Sequence, residues 1–193
     1  MNCKLCPHKC GSIRTKDTKG GKCGLTTELR VARISPHMWE EPPISGSKGS
    51  GTVFFSGCTL DCIFCQNYRI SAENFGTSIT AEKLSEEFKR LEEKGVHNIN
   101  LVSATQFLPE IIKSFEIYKP SVPVVYNTGG YERVETLRAL EGIVDIYLPD
   151  FKYSDNNLAL EYSGAENYVE TALAAINEMF RQKGKLILDE NGI

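Results

Sequence analysis

Three cysteines with close spacing have the side chains that could hold a metal cluster. Cys58, Cys62 and Cys65 follow directly after an apolar run at 53–55 that predicts a buried strand. A loop with three and then two intervening residues can ligate three irons of a [4Fe-4S] cube, whereas a cluster that only carries electrons needs four thiolates. The fourth iron would then be open to a ligand that does not come from the protein.

The alternative for these thiols is a structural zinc site with three cysteines and one histidine. Outside the cysteine-rich start of the chain, the histidines are His37 and His97, and both lie more than twenty residues from the three cysteines. Structural zinc ligands usually come in two close pairs. The spacing therefore favours the cluster.

A second set of four cysteines precedes residue 24. Cys3, Cys6, Cys10 and Cys23 could close a tetrahedral site, and both zinc and a second iron–sulfur cluster accept four thiolates. His8 is an alternative ligand to Cys10. Four unligated cysteines are the alternative to any metal site here. We expect a metal whose role is structural.

Composition bounds the class of protein. The chain has 193 residues, of which 41% are hydrophobic and 24% charged, which is ample for one core. A net charge of −3 gives no basic field that would gather nucleic acid. No apolar run approaches the ~20 residues that span a bilayer, and the start lacks a signal-peptide pattern. We expect a cytoplasmic location, where seven cysteines favour metal ligation over disulfides.

Strand and helix patterns alternate along most of the chain and must position these cysteines. Residues 1–51 are predicted to form a cysteine-rich metal-binding segment and a surface connector, with a short strand at 31–34 and prolines excluding regular structure after it. From residue 52 we predict strands at 53–55, 98–103, 122–128 and 143–148. Helices are predicted from Thr80 to Gly95, from Pro109 to Pro120, at 131–141 and at 165–183. The last should bury an apolar face of Val169, Ala172, Leu173, Ile176 and Phe180.

This alternation predicts an α/β fold with a parallel sheet, in which binding groups collect at the carboxyl ends of the strands. Polar residues follow each predicted strand: Ser56 and the cysteines, then Ser103, Thr105 and Gln106, then Asn127 and Thr128, then Asp150 and Lys152. Four such groups around one edge predict a site.

The whole chain resembles one branch of the radical S-adenosylmethionine (SAM) superfamily, the uncharacterised homologues of pyruvate formate-lyase activating enzyme. The resemblance rests on the Cys-x3-Cys-x2-Cys loop with Phe64 before its last cysteine, on the cysteine-rich start, and on four further blocks. Those blocks are PHMWEEPPISG at 36–46, GSG at 49–51, VYNT at 125–128 and DIYLPDFK at 145–152.

The resemblance implies a partial (β/α) barrel and a defined chemistry. SAM would chelate the open iron of the [4Fe-4S] cluster, and one electron would break SAM to a 5′-deoxyadenosyl radical that abstracts hydrogen from a substrate. Asp150 and Lys152 match a pair that reaches the ribose and the carboxylate region of SAM. Asn127 stands where the relatives often have an aspartate that holds ribose.

The sequence departs from the family at the second strand. The Gly-Gly-Glu that usually receives the SAM amino group is replaced by Ser103-Ala-Thr-Gln106, so Ser103 or Thr105 is expected to make that contact. Phe64 is expected near the adenine, with an ordinary core phenylalanine as the alternative.

A further departure is the predicted strand count. Family members continue into at least two more strand–helix units, so 52–193 is expected to be a barrel incomplete at its C-terminal end, as a split gene, a fragment or a short form. The partners expected are an electron donor, a protein substrate such as a glycyl radical enzyme, and a polypeptide that supplies further strands. Three functions remain open: glycyl radical activation, modification of another substrate by the same chemistry, and a metal-binding interaction protein without catalysis.

Overall fold

The computed structural model describes residues 3–190, and its centre is a six-stranded sheet. The strands are β1 (Leu29–His37), β2 (Ser50–Phe55), β3 (Thr77–Ile79), β4 (Ile99–Val102), β5 (Val124–Thr128) and β6 (Ile146–Pro149), in the order β3-β1-β2-β4-β5-β6. Strands β2, β4, β5 and β6 are parallel, whereas β1 is antiparallel to β2 and β3. The predicted α/β fold with a mostly parallel sheet is confirmed.

Seven helices lie between the strands or follow the last of them in the part of the chain that the structure describes. They are α1 (Pro42–Ser45), α2 (Tyr68–Ser71), α3 (Ala81–Glu93), α4 (Leu108–Ile117), α5 (Val134–Arg138), α6 (Asn156–Ser163) and α7 (Tyr168–Lys183), with a 3-10 turn at Thr105–Phe107. The predicted cap of α3 is confirmed, because the Thr80 side chain accepts a hydrogen bond from the backbone N–H of Lys83 at 3.2 Å. Helix α6 was not predicted from the sequence.

The predicted surface connector at 31–51 was wrong in its first half. Strand β1 continues to His37 and pairs with β2 along its length, with Pro36 opposite Gly51. Proline is tolerated because β3 pairs with β1 only at Leu29–Val31, so no strand on that side needs the missing N–H. The boundary at residue 51 between the cysteine-rich segment and the barrel stays a prediction. Strands β1 and β2, which lie on either side of position 49, are neighbours in the same sheet.

The two faces of the sheet have different surroundings. Leu101 and Tyr126 are fully buried in the main hydrophobic core, which includes Phe88 of α3 and Ile111 of α4. Successive side chains of a strand point to opposite faces, so Asn127 points away from these helices. The face opposite the helices is therefore the one that presents Asn127 at the carboxyl end of β5.

Helix α7 buries only part of the face predicted for it. Ala172 is buried as predicted, and Val169 and Ile176 are half-buried, whereas Leu173 and Phe180 are 49% and 58% exposed. The other buried residues of the helix are Tyr168, Ala175, Glu178 and Met179. Two large apolar side chains of the helix are consequently exposed.

Strands β3 and β6 form the two edges of the sheet in the part of the chain that the structure describes. Strand β6 pairs with β5 only, and residues 184–188 after α7 form no strand. Among residues 3–190, no helix is long and apolar enough to cross a membrane.

Candidate functional site

Three thiols lie in the loop that follows β2 at its carboxyl end. Each sulfur accepts one hydrogen bond: Cys58 from the backbone N–H of Leu60 at 3.4 Å, Cys62 from the hydroxyl of Ser163 at 2.9 Å, and Cys65 from the hydroxyl of Ser71 at 3.2 Å. Such donors stabilise negative charge on sulfur and tune iron–sulfur potentials. The structure thus brings these three predicted residues together with their own donors.

The three thiols affect one another electrostatically. Burial raises the pKa of the Cys58 thiol to about 11, and the nearby Cys62 and Cys65 raise it further while Ser103 opposes them. Burial also raises the pKa of Cys62, against which Lys152 and Ser163 act. A bound cluster would balance the charge of three thiolates in this loop. Among residues 3–190 no three His, Cys, Asp or Glu side chains stand in metal-ligand geometry, so the cluster on Cys58, Cys62 and Cys65 stays a prediction.

Ser103 lies next to the cluster loop, whereas Thr105 does not. The Ser103 side chain lies close enough to Cys58 to lower the pKa of that thiol, and the Ser103 backbone has a positive φ of 54°, which is uncommon outside glycine and is frequent at functional sites. Its N–H donates to the carbonyl of Asn127 at 3.0 Å, which fixes the end of β4 against the end of β5. Of the two residues predicted to reach the SAM amino group, Ser103 is the one at the site.

Thr105 instead belongs to a buried polar network of side chains from β5 and from the segments that follow β4 and β5. Its hydroxyl donates to Oε1 of Glu132 at 2.6 Å and contacts the hydroxyl of Tyr126 at 2.8 Å, and Thr128 donates to the same Oε1 at 2.6 Å. Burial raises the pKa of Glu132 to about 7, although these hydroxyls oppose it. The Thr105 hydroxyl is therefore already engaged and 2% of the residue is exposed.

Asp150 and Lys152 form an ion pair beside the cluster loop. Nζ of Lys152 lies 2.5 Å from Oδ2 of Asp150. Burial opposes the charge on Lys152, but Asp150 outweighs burial, and the nearby Cys62 adds to its effect, so the pKa of this ammonium is raised. The backbone N–H of Lys152 donates to the hydroxyl of Tyr168 at 2.8 Å, and that hydroxyl donates to the carbonyl of Gly129 at 2.9 Å. Tyr168 thus ties the loops after β5 and β6 together.

Close approach of these two loops requires glycine. A Cβ on Gly130 would lie 2.3 Å from the carbonyl oxygen of Asp150, and its φ is +77°. Any other residue at position 130 would push Asp150 away from the sheet edge.

Asn127 forms a hydrogen bond with Glu40, a residue to which the sequence analysis assigned no role. Its side-chain amide donates to Oε2 of Glu40 at 3.1 Å. Burial raises the pKa of the Glu40 carboxyl, Glu41 and Asp150 add to this, and His37 opposes them. Glu40 therefore lies among the residues predicted to bind SAM.

Phe64 is 57% exposed beside the cysteines, with its ring 6.4 Å from that of Tyr153. It is not a core phenylalanine, so the alternative considered for it is wrong. An exposed ring in the cluster loop is available to stack on a base.

The N-terminal cysteines meet at one small cavity on the other side of the cluster loop. Cys3, Cys6, Cys10 and Cys23 all line it, as does Thr59. Burial raises the pKa of Cys6 to about 11, and the other three thiols add to this. Within residues 3–190, however, no group of three or more His, Cys, Asp or Glu side chains stands in metal-ligand geometry, so a second metal site stays a prediction.

His8 lines the same cavity as the four cysteines. Its Nε2 hydrogen-bonds to the carbonyl of Thr59 at 2.8 Å, and its ring packs edge-on against Tyr131 at 5.3 Å. This contact joins the cysteine-rich start to the residue that follows Cys58.

Comparison with known proteins decides the family. Residues 52–188 match the family described as the Radical SAM superfamily. The chain belongs to this superfamily. Membership implies an enzyme that uses a [4Fe-4S] cluster and SAM.

A curated relative also matches most of the chain. It is an uncharacterised protein of Methanocaldococcus jannaschii, 31% identical over 177 residues, which cover 88% of this chain and 51% of that protein. The chain therefore spans about half the length of the curated relative that it matches.

The residues present fit the cofactors that the radical SAM family implies. The loop supplies three soft thiol donors, each with a hydrogen-bond donor of its own, and iron–sulfur clusters are held by such ligands. Ser103, Asn127 and the Asp150–Lys152 pair lie at the carboxyl ends of the neighbouring strands, where α/β sheets bind ligands.

The sequence prediction missed three contributors to this radical SAM site. Glu40 stands in the block at 36–46 but was given no role, Ser163 belongs to a helix that was not predicted, and Tyr168 was assigned to no site. Asp155 and Gly164 were the available signals for that helix: Asp155 caps α6 through the N–H groups of Asn157 and Leu158, and Gly164 ends it at φ 60°.

Proposed function

We propose that this chain is a radical SAM enzyme that binds a [4Fe-4S] cluster on Cys58, Cys62 and Cys65 and SAM across the carboxyl ends of β2, β4, β5 and β6. The observation that carries the proposal is the convergence of three thiols with Ser103 and the Asp150–Lys152 pair at one edge of the sheet. Lys152 lies close enough to Cys62 for each to alter the pKa of the other.

Each polar residue has a chemical role that suits one part of SAM. Asp150 accepts hydrogen bonds from ribose hydroxyls, Lys152 binds the carboxylate, Ser103 accepts from the amino group, and Phe64 contacts the adenine. Asn127 contributes its amide oxygen to the ribose. The ion pair between Asp150 and Lys152 holds both side chains in place before the ligand arrives.

When bound, the cluster and SAM would supply a 5′-deoxyadenosyl radical for hydrogen abstraction from the substrate. The protein residues around the loop orient SAM and keep water from it. Oxidoreductase chemistry of the type performed by pyruvate formate-lyase activating enzyme, with a glycyl radical enzyme as the protein substrate, is the finer proposal. The sequence blocks at 36–46, 125–128 and 145–152 support it.

Formation of 5′-deoxyadenosine tests the proposed chemistry. The chain is reconstituted with iron and sulfide without oxygen, reduced, and mixed with SAM. We expect 5′-deoxyadenosine from the wild type and none from the Cys58→Ala/Cys62→Ala/Cys65→Ala variant. A wild type that holds its cluster but forms no 5′-deoxyadenosine would instead favour a metal-binding interaction protein.

We also propose that Cys3, Cys6, Cys10 and Cys23 hold a separate metal, zinc or an iron–sulfur cluster, with a structural role. The cavity that all four line supports this. A Cβ on Gly21 would lie 3.0 Å from Sγ of Cys10 and 3.9 Å from Sγ of Cys23, so glycine leaves room for both sulfurs.

Finally, we propose two kinds of partner besides the substrate: a one-electron donor that reduces the cluster, and a polypeptide that covers β6 and α7. The unpaired edge of β6 within the described residues and the exposed Leu173 and Phe180 support the second partner.

A further inference from the structure

Glu40 and Asn127 together present two acceptor oxygens at the sheet edge. Oε2 of Glu40 accepts a hydrogen bond from the side-chain amide of Asn127. Neither Oε1 of Glu40 nor Oδ1 of Asn127 has a hydrogen-bond partner in residues 3–190. We propose that Glu40 is a ligand-binding residue of the SAM site, whose carboxylate accepts hydrogen bonds from the ribose diol beside Asn127. This inference rests on the proposed function and assigns a role to a residue outside the strand-end set.

The segment at 38–46 is built to hold Glu40 in this position. The hydroxyl of buried Ser45 accepts from the backbone N–H of Glu40 at 2.9 Å and lies 3.3 Å from the Glu40 carbonyl. Buried Asn98 donates to the carbonyl of Ile44 at 2.7 Å and accepts from Ser50 at 2.6 Å. The segment is therefore fixed to the starts of β2 and β4, and the side chain of Glu40 reaches β5 without ordering a mobile loop.

The chemistry of the pair favours a diol. Vicinal hydroxyls offer two O–H donors close together, and a carboxylate accepts from hydroxyls more strongly than a neutral oxygen does. Glu40 is half-buried, so a hydrogen bond there replaces fewer bonds to water than at an exposed residue. Asn127 stands where the resemblance implies an aspartate that binds ribose. Glu40, which contacts Asn127, provides a carboxylate at that position.

A cationic group of SAM is the other partner that a carboxylate could take. Glu41 and Asp150 add negative charge near Glu40, which would also suit the sulfonium or the ammonium. The two cases differ in what they require of the ligand. 5′-Methylthioadenosine has the ribose and the adenine of SAM but neither the sulfonium nor the amino acid, so it isolates the ribose contact.

Calorimetric titration of the anaerobically reconstituted full chain with SAM and with 5′-methylthioadenosine tests the inference. We expect Glu40→Gln to weaken both ligands by the same factor, about tenfold, since one charge-assisted hydrogen bond is worth roughly this much. Glu40→Asp should weaken both as well, because the shorter side chain draws the carboxylate back from Asn127. Glu41→Gln is the matched control, since it removes the same charge from the exposed neighbour, and it should change neither affinity by more than about twofold.

The outcomes separate the inference from the function on which it rests. Weakening of SAM alone would overturn the ribose contact in favour of a cationic one. Unchanged binding of both ligands by Glu40→Gln, with SAM bound by the wild type, would overturn the inference and leave the proposed function in place. A wild type that holds its cluster but binds no SAM would overturn both.

Discussion

The hydroxyl of Ser163 donates a hydrogen bond to the sulfur of Cys62 at 2.9 Å, although the two residues are 101 positions apart. Ser163 is the last residue of α6 and is fully buried, and its hydroxyl also contacts that of Tyr153 at 2.5 Å. The helix after β6 is thereby fixed to the loop after β2.

Replacing Ser163 by alanine should lower the reduction potential of the cluster. Reduction adds negative charge, and a donor to a ligand sulfur stabilises the reduced state more than the oxidised one. A hydrogen bond worth about 1 kcal/mol corresponds to about 40 mV for one electron. Redox titration followed by electron paramagnetic resonance measures the shift.

Tyr153→Phe is the control for this variant, because it removes the other partner of Ser163 and leaves the donor to sulfur in place. It should leave the potential close to that of the wild type. Equal potentials for Ser163→Ala and the wild type would show that the hydroxyl does not tune the cluster.

Glu132 should make the protein less stable as pH rises. Its pKa is raised from an ordinary 4.5 to about 7, so the folded state binds more protons than the unfolded state between these values. The loss of stability is absent below pH 4.5, grows through the window and is complete above about 7, where it amounts to about 3 kcal/mol. Glu132→Gln should remove this share of the pH dependence.

Urea unfolding at pH 5 and pH 8 measures the effect. The difference between the two free energies of unfolding should be smaller in Glu132→Gln than in the wild type and unchanged in Glu161→Gln, which alters an exposed carboxylate of α6. Parallel pH profiles for the wild type and Glu132→Gln would contradict the assignment.

Replacing Cys6 and Cys10 by serine should lower the free energy of unfolding without removing the cluster of the 58–65 loop. A metal bound only by the folded state contributes its binding free energy to folding. Metal analysis and thermal unfolding measure the two effects. If the doubly substituted chain kept the metal content and stability of the wild type, the four cysteines would hold no metal.

The exposed side of α7 should cause self-association of the isolated chain. Leu173→Lys/Phe180→Lys should make the chain more monomeric, because it places charge on the apolar surface at 49% and 58% exposed positions. Leu158→Lys/Leu160→Lys on α6 is the matched control, with similar exposures of 45% and 50%. Sedimentation velocity at several concentrations measures the difference. If both variants and the wild type sedimented alike, the exposed side of α7 would not be the cause of self-association.

The sequence was sufficient for the residues that act through local pattern. The spacing of Cys58, Cys62 and Cys65, the cap at Thr80 and the polar residues after each parallel strand are readable because each depends on neighbours in the chain. The face of α7 was readable only in part: Ala172 is buried as predicted, but Ala175 and Met179, rather than Leu173 and Phe180, pack in the main core.

Long-range polar contacts were also beyond the sequence. Glu40 reaches Asn127 across 87 positions, and a pair of adjacent glutamates before two prolines usually indicates solvated side chains. Thr105 follows β4 as a site residue should, but buried Glu132 competes for its hydroxyl. Such contacts depend on which face each strand presents, and that is set only once the sheet order is known.

The electron paramagnetic resonance spectrum of the reduced, reconstituted chain with and without SAM tests the central claim most directly. Three cysteine ligands leave one iron open, so SAM should bind that iron and change the g values of the cluster. We expect this change in the wild type and no SAM-responsive cluster signal in the Cys58→Ala/Cys62→Ala/Cys65→Ala variant. A SAM-responsive signal that survives in the triple variant, or a wild-type spectrum that saturating SAM leaves unaltered, would contradict the claim.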